Sequence, residues 1–255
     1  MTTGDLSAAC PSVAAFICSA DTRRDVLDRT LLSVMKFWPN CPYPLYVGLN
    51  TAGQPLPTGV PVLARPSEWH SEFALQLAQM QDQYVIVILD DFLLCVPVDQ
   101  GRVSKLVNIT VTLNLDYLRL VPLGRSLLAR VIGKRHSQVA QGVEQLQLSH
   151  PFYSALQIAI WRKGYLESRL VTPKSIWDFE HESRSSSVHC AITRAPPFRY
   201  RHLVERGLWL PYARSLLRQV GLPSELGDRP AWPKSRYLNL LWDQARWLVQ
   251  GYANW

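Results

Sequence analysis

Two adjacent aspartates, Asp90 and Asp91, close the run Tyr84-Val85-Ile86-Val87-Ile88-Leu89. Two carboxylates in one place suit a hard divalent cation carrying a diphosphate. The run before them is unbroken in its apolarity and rich in β-branched residues, which favours a strand over a buried helix. Apolarity without alternation implies a strand covered on both faces, as in a parallel sheet flanked by helices. In open α/β sheets, ligands sit beyond the carboxyl ends of the strands. Asp90 and Asp91 therefore stand where a ligand is expected. The alternative is one acid capping the next helix and the other in solvent.

The elements that must position these acids can be read in chain order. Val13 to Cys18 is a first buried strand, broken by Ser19-Ala20-Asp21-Thr22. Arg23 to Trp38 has helical spacing through Val26, Leu27, Thr30, Leu31 and Val34. Leu45 to Leu49 is a second strand, closing on Asn50, and Val62-Leu63 a short third one. A helix over Phe73 to Met80 leads into the aspartate strand, and another is expected over Val98 to Leu115. This alternation is a doubly wound α/β pattern, with Ser19/Asp21 and Asp90/Asp91 at two strand ends beside one crevice, where a nucleotide would be ordinary.

Further on, Tyr117 to Val121 reads as a strand and Gly124 to Gly142 as basic and irregular. Tyr153 to Lys163 has the spacing of a helix, with Ala155, Leu156, Ala159 and Ile160 on one face. Pro173 to Phe179 reads as an aromatic-acidic turn. Leu238, Leu241, Trp242, Ala245, Leu248, Val249 and Tyr252 lie on one helical face. The expected organisation is a main domain over 1–222 and a C-terminal amphipathic helical segment over 223–255. That segment packs on the domain or faces a membrane, with tryptophans at the lipid boundary and arginines toward anionic heads.

The 255 residues suit one large α/β domain, or a domain with an appendage. The net charge of +7 favours anionic partners: nucleotide phosphates, lipid head groups or nucleic acid. Five cysteines, an odd number without a C-x-x-C pair, argue against a disulfide framework or a zinc cluster. A reducing compartment is the default, and no basic-then-apolar leader or long apolar span is visible. The expected location is the cytoplasm, with peripheral attachment to the inner membrane face as the variant of it. No phosphate-binding P-loop, dinucleotide fingerprint or hydrolase elbow occurs.

Five stretches together resemble bacterial GT-A-type glycosyltransferases of surface-polysaccharide assembly, such as lipopolysaccharide or capsule. They are Ser19-Ala20-Asp21, Tyr46 to Asn50, Tyr84 to Leu94 with its Leu89-Asp90-Asp91-Phe92, Tyr153 to Trp161, and Ser175-Ile176-Trp177-Asp178-Phe179-Glu180. Their order and spacing carry the likeness, from the first strand to about Trp209. The fold it implies is a GT-A-like (Rossmann-like) mixed, mostly parallel sheet flanked by helices. The activity it implies is transfer of a sugar from a nucleotide-sugar donor to a saccharide or lipid-linked saccharide, with inversion.

On this resemblance Ser19 and Asp21 approach the nucleobase and ribose, with Asn50 and Trp69 at the donor. Asp90 and Asp91 take the place of a D-x-D motif for a divalent metal, manganese or magnesium, and the diphosphate. The departure from D-x-D matters, because adjacent residues on a strand point to opposite faces unless the chain turns. Asp178 and Glu180 stand as the pair that supplies the general base, beside Trp177 and Phe179, which would desolvate a carboxylate and raise its pKa. The alternative for that pair is a helix cap and an ion pair. Tyr153, Gln157, Trp161 and Trp177 are the acceptor-side candidates, with core packing as the alternative for Trp161. Arg119 is a candidate phosphate contact, and His181 or His202 a weaker metal ligand. Two other classes remain: an inactive relative that binds a nucleotide-sugar or glycan, and a basic nucleic-acid-binding protein, for which no zinc finger or RNA-recognition signature is present.

Overall fold

The structure, a computed structural model, describes residues 11–52, 55–65, 67–122, 137–148, 150, 153–171, 175–181 and 187–238, and only the backbone of Trp177 and His181. The first half runs β1 (Val13–Cys18), α1 (Arg24–Phe37), β2 (Leu45–Leu49), β3 (Val60–Leu63), α2 (Trp69–Ala78), β4 (Tyr84–Leu89) and β5 (Phe92–Leu94). Then follow α3 (Gln100–Thr112), β6 (Tyr117–Arg119), the hairpin β7 (Gln138–Ala140) and β8 (Val143–Gln145), β9 (Ala159–Arg162) and α4 (Lys163–Arg169). The described chain ends with α5 (Ile176–His181), β10 (His189–Ile192), β11 (Tyr200–His202), β12 (Val204–Glu205), β13 (Leu208–Trp209) and α6 (Ala213–Gln219).

Nine strands form one sheet in the order β3-β2-β1-β4-β9-β6-β10-β8-β7. β1 pairs in parallel with β2 and β4, β2 with β3, and β6 with β10, while β9 is antiparallel to both β4 and β6. This is the expected mixed sheet flanked by helices, with most strands running in one direction. The unbroken apolarity of β1 and β4 has the cause anticipated for it, since each strand is covered on both faces. Ala15, Ile17, Ile86 and Ile88 face one core with Leu27, Leu31 and Val34 of α1 and Val103 and Leu106 of α3. Ala14, Phe16, Val85 and Val87 face the other, with Phe73 and Leu77 of α2, Leu166 of α4 and Phe179 of α5.

Two expectations fail. Residues 153–158 form no helix, and 159–162 form strand β9 in mid-sheet. Ala159 and Trp161 enter one core while Ile158 and Ile160 enter the other, so the period is two, and the apparent helical face was coincidental. The aromatic-acidic stretch is instead a short helix, α5, opened by Ser175 and Asp178: the Ser175 hydroxyl donates to Asp178 Oδ2 at 2.7 Å and accepts from the Asp178 amide at 3.1 Å. Of the expected irregular basic stretch, 124–136 lie outside the described residues, and the rest enters the β7–β8 hairpin. Most of the expected C-terminal helix, 239–255, is likewise outside them. Up to there the chain stays on the main body: the Trp209 amide donates to the Pro230 carbonyl at 2.9 Å, and Arg229 pairs with Asp25 of α1 at 2.7 Å. Among the described residues no helix is long and apolar enough to cross a membrane.

His189, fully buried on β10, tests the integrity of this sheet. Its Nδ1 lies 2.7 Å from the Tyr153 carbonyl, which can only accept, so Nδ1 carries the proton; Nε2 then accepts from the Tyr165 hydroxyl at 2.8 Å. Burial pulls the imidazole down from its ordinary value to about 4. With a folded pKa below the unfolded one, the unfolded chain takes the proton first as pH falls. Stability from this residue is complete above the ordinary imidazole pKa, falls between there and about 4, and then levels. The loss over that window is on the order of 3 kcal/mol. Urea unfolding across it should show this fall in the parent protein and a shallower one in His189→Gln; equal slopes in the two would remove His189 as the cause.

Candidate functional site

The chain winds from β1 outward through β2 to β3, then returns through α2 to place β4 on the other side of β1. The winding therefore reverses between β1 and β4, and in open sheets a ligand crevice forms outside the carboxyl ends at such a point. The segments leaving the two strands are Ser19 to Arg23 and Asp90-Asp91. A 3-10 turn over Asp21–Arg23 lies on the first of them and runs into α1 at Arg24.

Asp90 is buried, and both its oxygens are taken. The Ser19 hydroxyl donates to Oδ2 at 2.8 Å, and Arg23 donates from Nε to Oδ2 at 2.5 Å and from Nη2 to Oδ1 at 2.7 Å. The buried Thr30 hydroxyl of α1 donates to the Asp90 carbonyl at 2.6 Å. Burial pushes the Asp90 carboxyl above its usual range against the pull of Arg23. Burial also works against the Arg23 charge, but the hydrogen bonds and charge of Asp90 outweigh it and hold the guanidinium above its ordinary value. A cation just before a helix runs against the helix dipole. Asp90 explains its place there. Arg23 keeps 34% of its side chain exposed, and its Nη1 makes no hydrogen bond among the described residues.

Ser19 is held from behind. Gln76 of α2, 1% exposed, donates to the Ser19 carbonyl at 3.2 Å and lies over Gly48 of β2. A Cβ at Gly48 would sit 2.7 Å from Gln76 Cδ, so this strand position has room for glycine alone while Gln76 stays in place.

Asp91 turns to another partner. After it β5 leaves the main sheet and pairs antiparallel with β11, setting His202 opposite Phe92. His202 Nδ1 lies 3.2 Å from Asp91 Oδ2. Burial lowers the imidazole pKa, but the hydrogen bond and charge of Asp91 prevail and raise it above its ordinary value. Glu205 and Glu180 add to that rise, so Glu180 and Asp91 act on the same imidazole.

Asp21 and Asn50 lace the ends of β1 and β2 together. The Asp21 amide donates to Asn50 Oδ1 at 2.9 Å, the Asn50 amide donates to Asp21 Oδ1 at 2.9 Å, and the Thr51 hydroxyl donates to Asp21 Oδ2 at 2.6 Å. Burial opposes the Asp21 charge, but these bonds carry its pKa below the usual carboxylate value. Trp69, partly buried, packs edge-on against Phe179 of α5 at 5.4 Å between centroids, joining α2 to the acidic segment.

The segment 153–157, which carries the acceptor candidates Tyr153 and Gln157, is pinned at each residue. His189 holds the Tyr153 carbonyl, Arg169 the Ser154 hydroxyl, and the Tyr117 hydroxyl the Ala155 carbonyl at 2.8 Å. Glu180 Oε1 accepts from the Leu156 amide at 2.6 Å, and Arg119 donates to Gln157 Oε1 at 2.5 Å. Tyr153 and Trp161 are buried in the second core and present no surface to an acceptor. Gln157 and Glu180 are partly exposed. Asp178 is exposed and shares the helix-opening bonds with Ser175, and the Trp177 side chain lies outside the described part. Sequence patterns missed Arg23 as the partner of Asp90, since nothing local to either residue specifies the pair. An open groove of about 560 Å³ between α3 and β7 is lined by none of the candidates.

The residues do not fit a shared metal site. Both oxygens of Asp90 are bound by a guanidinium, and Asp91 is engaged elsewhere. No three His, Cys, Asp or Glu side chains converge on a metal position among the described residues.

No protein-family model matches the sequence, and no curated protein is similar to it in sequence. Among solved structures it is similar to Staphylococcus aureus TarS 1-349, with 12% identity and a TM-score of 0.47 over 82% of this chain and 64% of that one. TarS 1-349 in complex with UDP gives 14% identity and a TM-score of 0.46, over 82% and 63%. The 2-C-methyl-D-erythritol 4-phosphate cytidylyltransferase of Thermus thermophilus gives 10% identity and a TM-score of 0.47, over 82% and 97%. The chain thus spans a little under two thirds of the length of TarS 1-349.

Gly48→Ala should displace Gln76 and free the Ser19 carbonyl, lowering stability by roughly 1–3 kcal/mol. Combining it with Gln76→Ala should give a double-mutant coupling energy of at least about 0.5 kcal/mol in urea unfolding. Strict additivity of the two would show that this contact does not brace the crevice.

Proposed function

We propose that this chain is a nucleotide-sugar-dependent glycosyltransferase whose donor lies in the crevice between the ends of β1 and β4. The supporting observation is electrostatic. Glu180, far from Asp91 in sequence, acts on the imidazole that Asp91 binds, so the acidic segment of the second half reaches the strand ends of the first. Glu180 also bears on Tyr200 of β11, as Asp91 does. The two groups share one region, as transfer between two bound substrates requires.

In this reading Ser19, Asp21 and Asn50 shape the nucleoside end, and Trp69 packs behind it. An acceptor hydroxyl attacks the anomeric carbon as the bond from that carbon to the diphosphate oxygen breaks. Glu180 takes the hydroxyl proton, and the nucleoside diphosphate leaves with the bonding pair. The configuration inverts because attack and departure lie on opposite faces. Of the two acids, Glu180 is preferred as base: its charge is felt at His202 and Tyr200, while Asp178 caps α5. Gln157 lines the acceptor side, and the acceptor is a saccharide or a lipid-linked saccharide.

Purified protein supplied with radiolabelled nucleotide-sugars and lipid-linked or free saccharide acceptors is the test. Glu180→Gln should lower kcat by roughly 10²–10⁴-fold, the range of general-base help. Asp178→Asn should leave kcat nearly intact and cost about 1 kcal/mol of stability through the weakened cap. The reverse pattern would move the base to Asp178. Nucleotide-sugar binding without turnover in the parent protein would instead support an inactive, ligand-holding relative.

A further inference from the structure

The occupied state of Asp90 has a consequence for how a diphosphate is held. An acid pair at a strand end serves phosphate chemistry by carrying a cation, and here the cation is already built into the chain. Arg23 clamps both Asp90 oxygens with Nε and Nη2. That leaves Nη1 without a hydrogen bond among the described residues, on a side chain 34% exposed at the start of α1. A planar guanidinium can bind one anion along one edge and offer its remaining donors to a phosphate oxygen. Ser19 fixes the carboxylate, and Thr30 fixes the backbone behind it, so the fork has a defined orientation. Beside it, His202 turns Nδ1 to Asp91, and its Nε2 makes no hydrogen bond among the described residues.

We propose that this chain binds the diphosphate of its nucleotide ligand without a divalent cation, with Arg23, oriented by Asp90 and Ser19, as the residue that contacts the phosphates. The proposal rests on the nucleotide-dependent function given above. It departs from the sequence-based expectation that Asp90 and Asp91 jointly hold manganese or magnesium.

Isothermal titration of the full chain with uridine, guanosine and cytidine diphosphates, in EDTA and then with manganese or magnesium, is the test. At least one diphosphate should bind in EDTA, with a Kd that either metal changes by less than about threefold. Arg23→Gln leaves Asp90 buried without its partner and is liable to unfold. The double variant Arg23→Gln/Asp90→Asn removes both charges and serves as the folded probe, checked by near-ultraviolet circular dichroism. It should bind at least about tenfold more weakly in EDTA, and Arg23→Lys should fall between it and the parent. Binding that appears only with manganese or magnesium overturns this proposal alone. Parent-like affinity of the folded double variant in EDTA also overturns it. Failure of all three diphosphates in every condition overturns the nucleotide-dependent function, and this proposal with it.

Discussion

A carboxylate withdrawn from water has to be given partners, and Asp90 is where that requirement organises the molecule. Leaving such a group uncompensated costs several kcal/mol. The compensation comes from the segment that follows β1: Ser19 and Arg23 on the side chain, with Thr30 of α1 on the carbonyl. One residue thus ties the ends of the two central strands to each other and to the helix between β1 and β2. An apolar pair of similar volume could replace a buried ion pair with little loss of stability. What the ion pair adds is placement, since it sets a guanidinium at the point where the winding of the sheet reverses.

The parts of this arrangement visible in the sequence are those where one pattern admits one structure. The runs of β1 and β4 are apolar at every position, and only a strand packed between two helical layers uses all of them. The adjacent acids at the end of β4 follow from that placement. Tyr153 to Lys163 shows the opposite case. Its apolar residues satisfy a helical spacing and a strand alternation equally well, and the segment is too short for periodicity to choose. Mid-sheet pairing with β4 and β6 decides it. The cap of α5 was visible in principle, because serine followed three residues later by an acid marks a helix start. The partners of Asp90 and Asp91 were not visible. Arg23 and His202 lie far from them in sequence, and nothing local in either segment specifies which acid each will meet.

Segment 153–157 is built on a different principle from the ends of β1 and β4. Segment 153–157 has no regular secondary structure, so its backbone groups need partners from elsewhere. Side chains of β6, α4, α5 and β10 bond each residue in turn: the backbone of Tyr153, Ala155 and Leu156, and the side chains of Ser154 and Gln157. A segment held this way is rigid without being a helix or strand. Its rigidity depends on residues that look like ordinary core groups: Tyr117, His189 and the fully buried Arg169. Trp161 belongs to the same supporting layer, its ring tilted against that of Tyr117 at 4.4 Å between centroids. Tyr153 and Trp161 therefore stand one layer behind the surface, and Gln157 and Glu180 are partly exposed.

The adjacency of Asp90 and Asp91 settles their division of labour. Had the two acids shared a face, their mutual repulsion would have called for one cation between them. The chain turns at this point, yet each acid finds its own partner, Arg23 for one and His202 for the other. Asp90 is matched by the fixed charge of Arg23. Burial opposes the charge of the His202 imidazole, but Asp91, with Glu205 and Glu180 behind it, outweighs burial and raises its pKa above the ordinary value. The two acids at the end of β4 are thus compensated separately, one by a permanent cation and the other by a group whose charge depends on its surroundings.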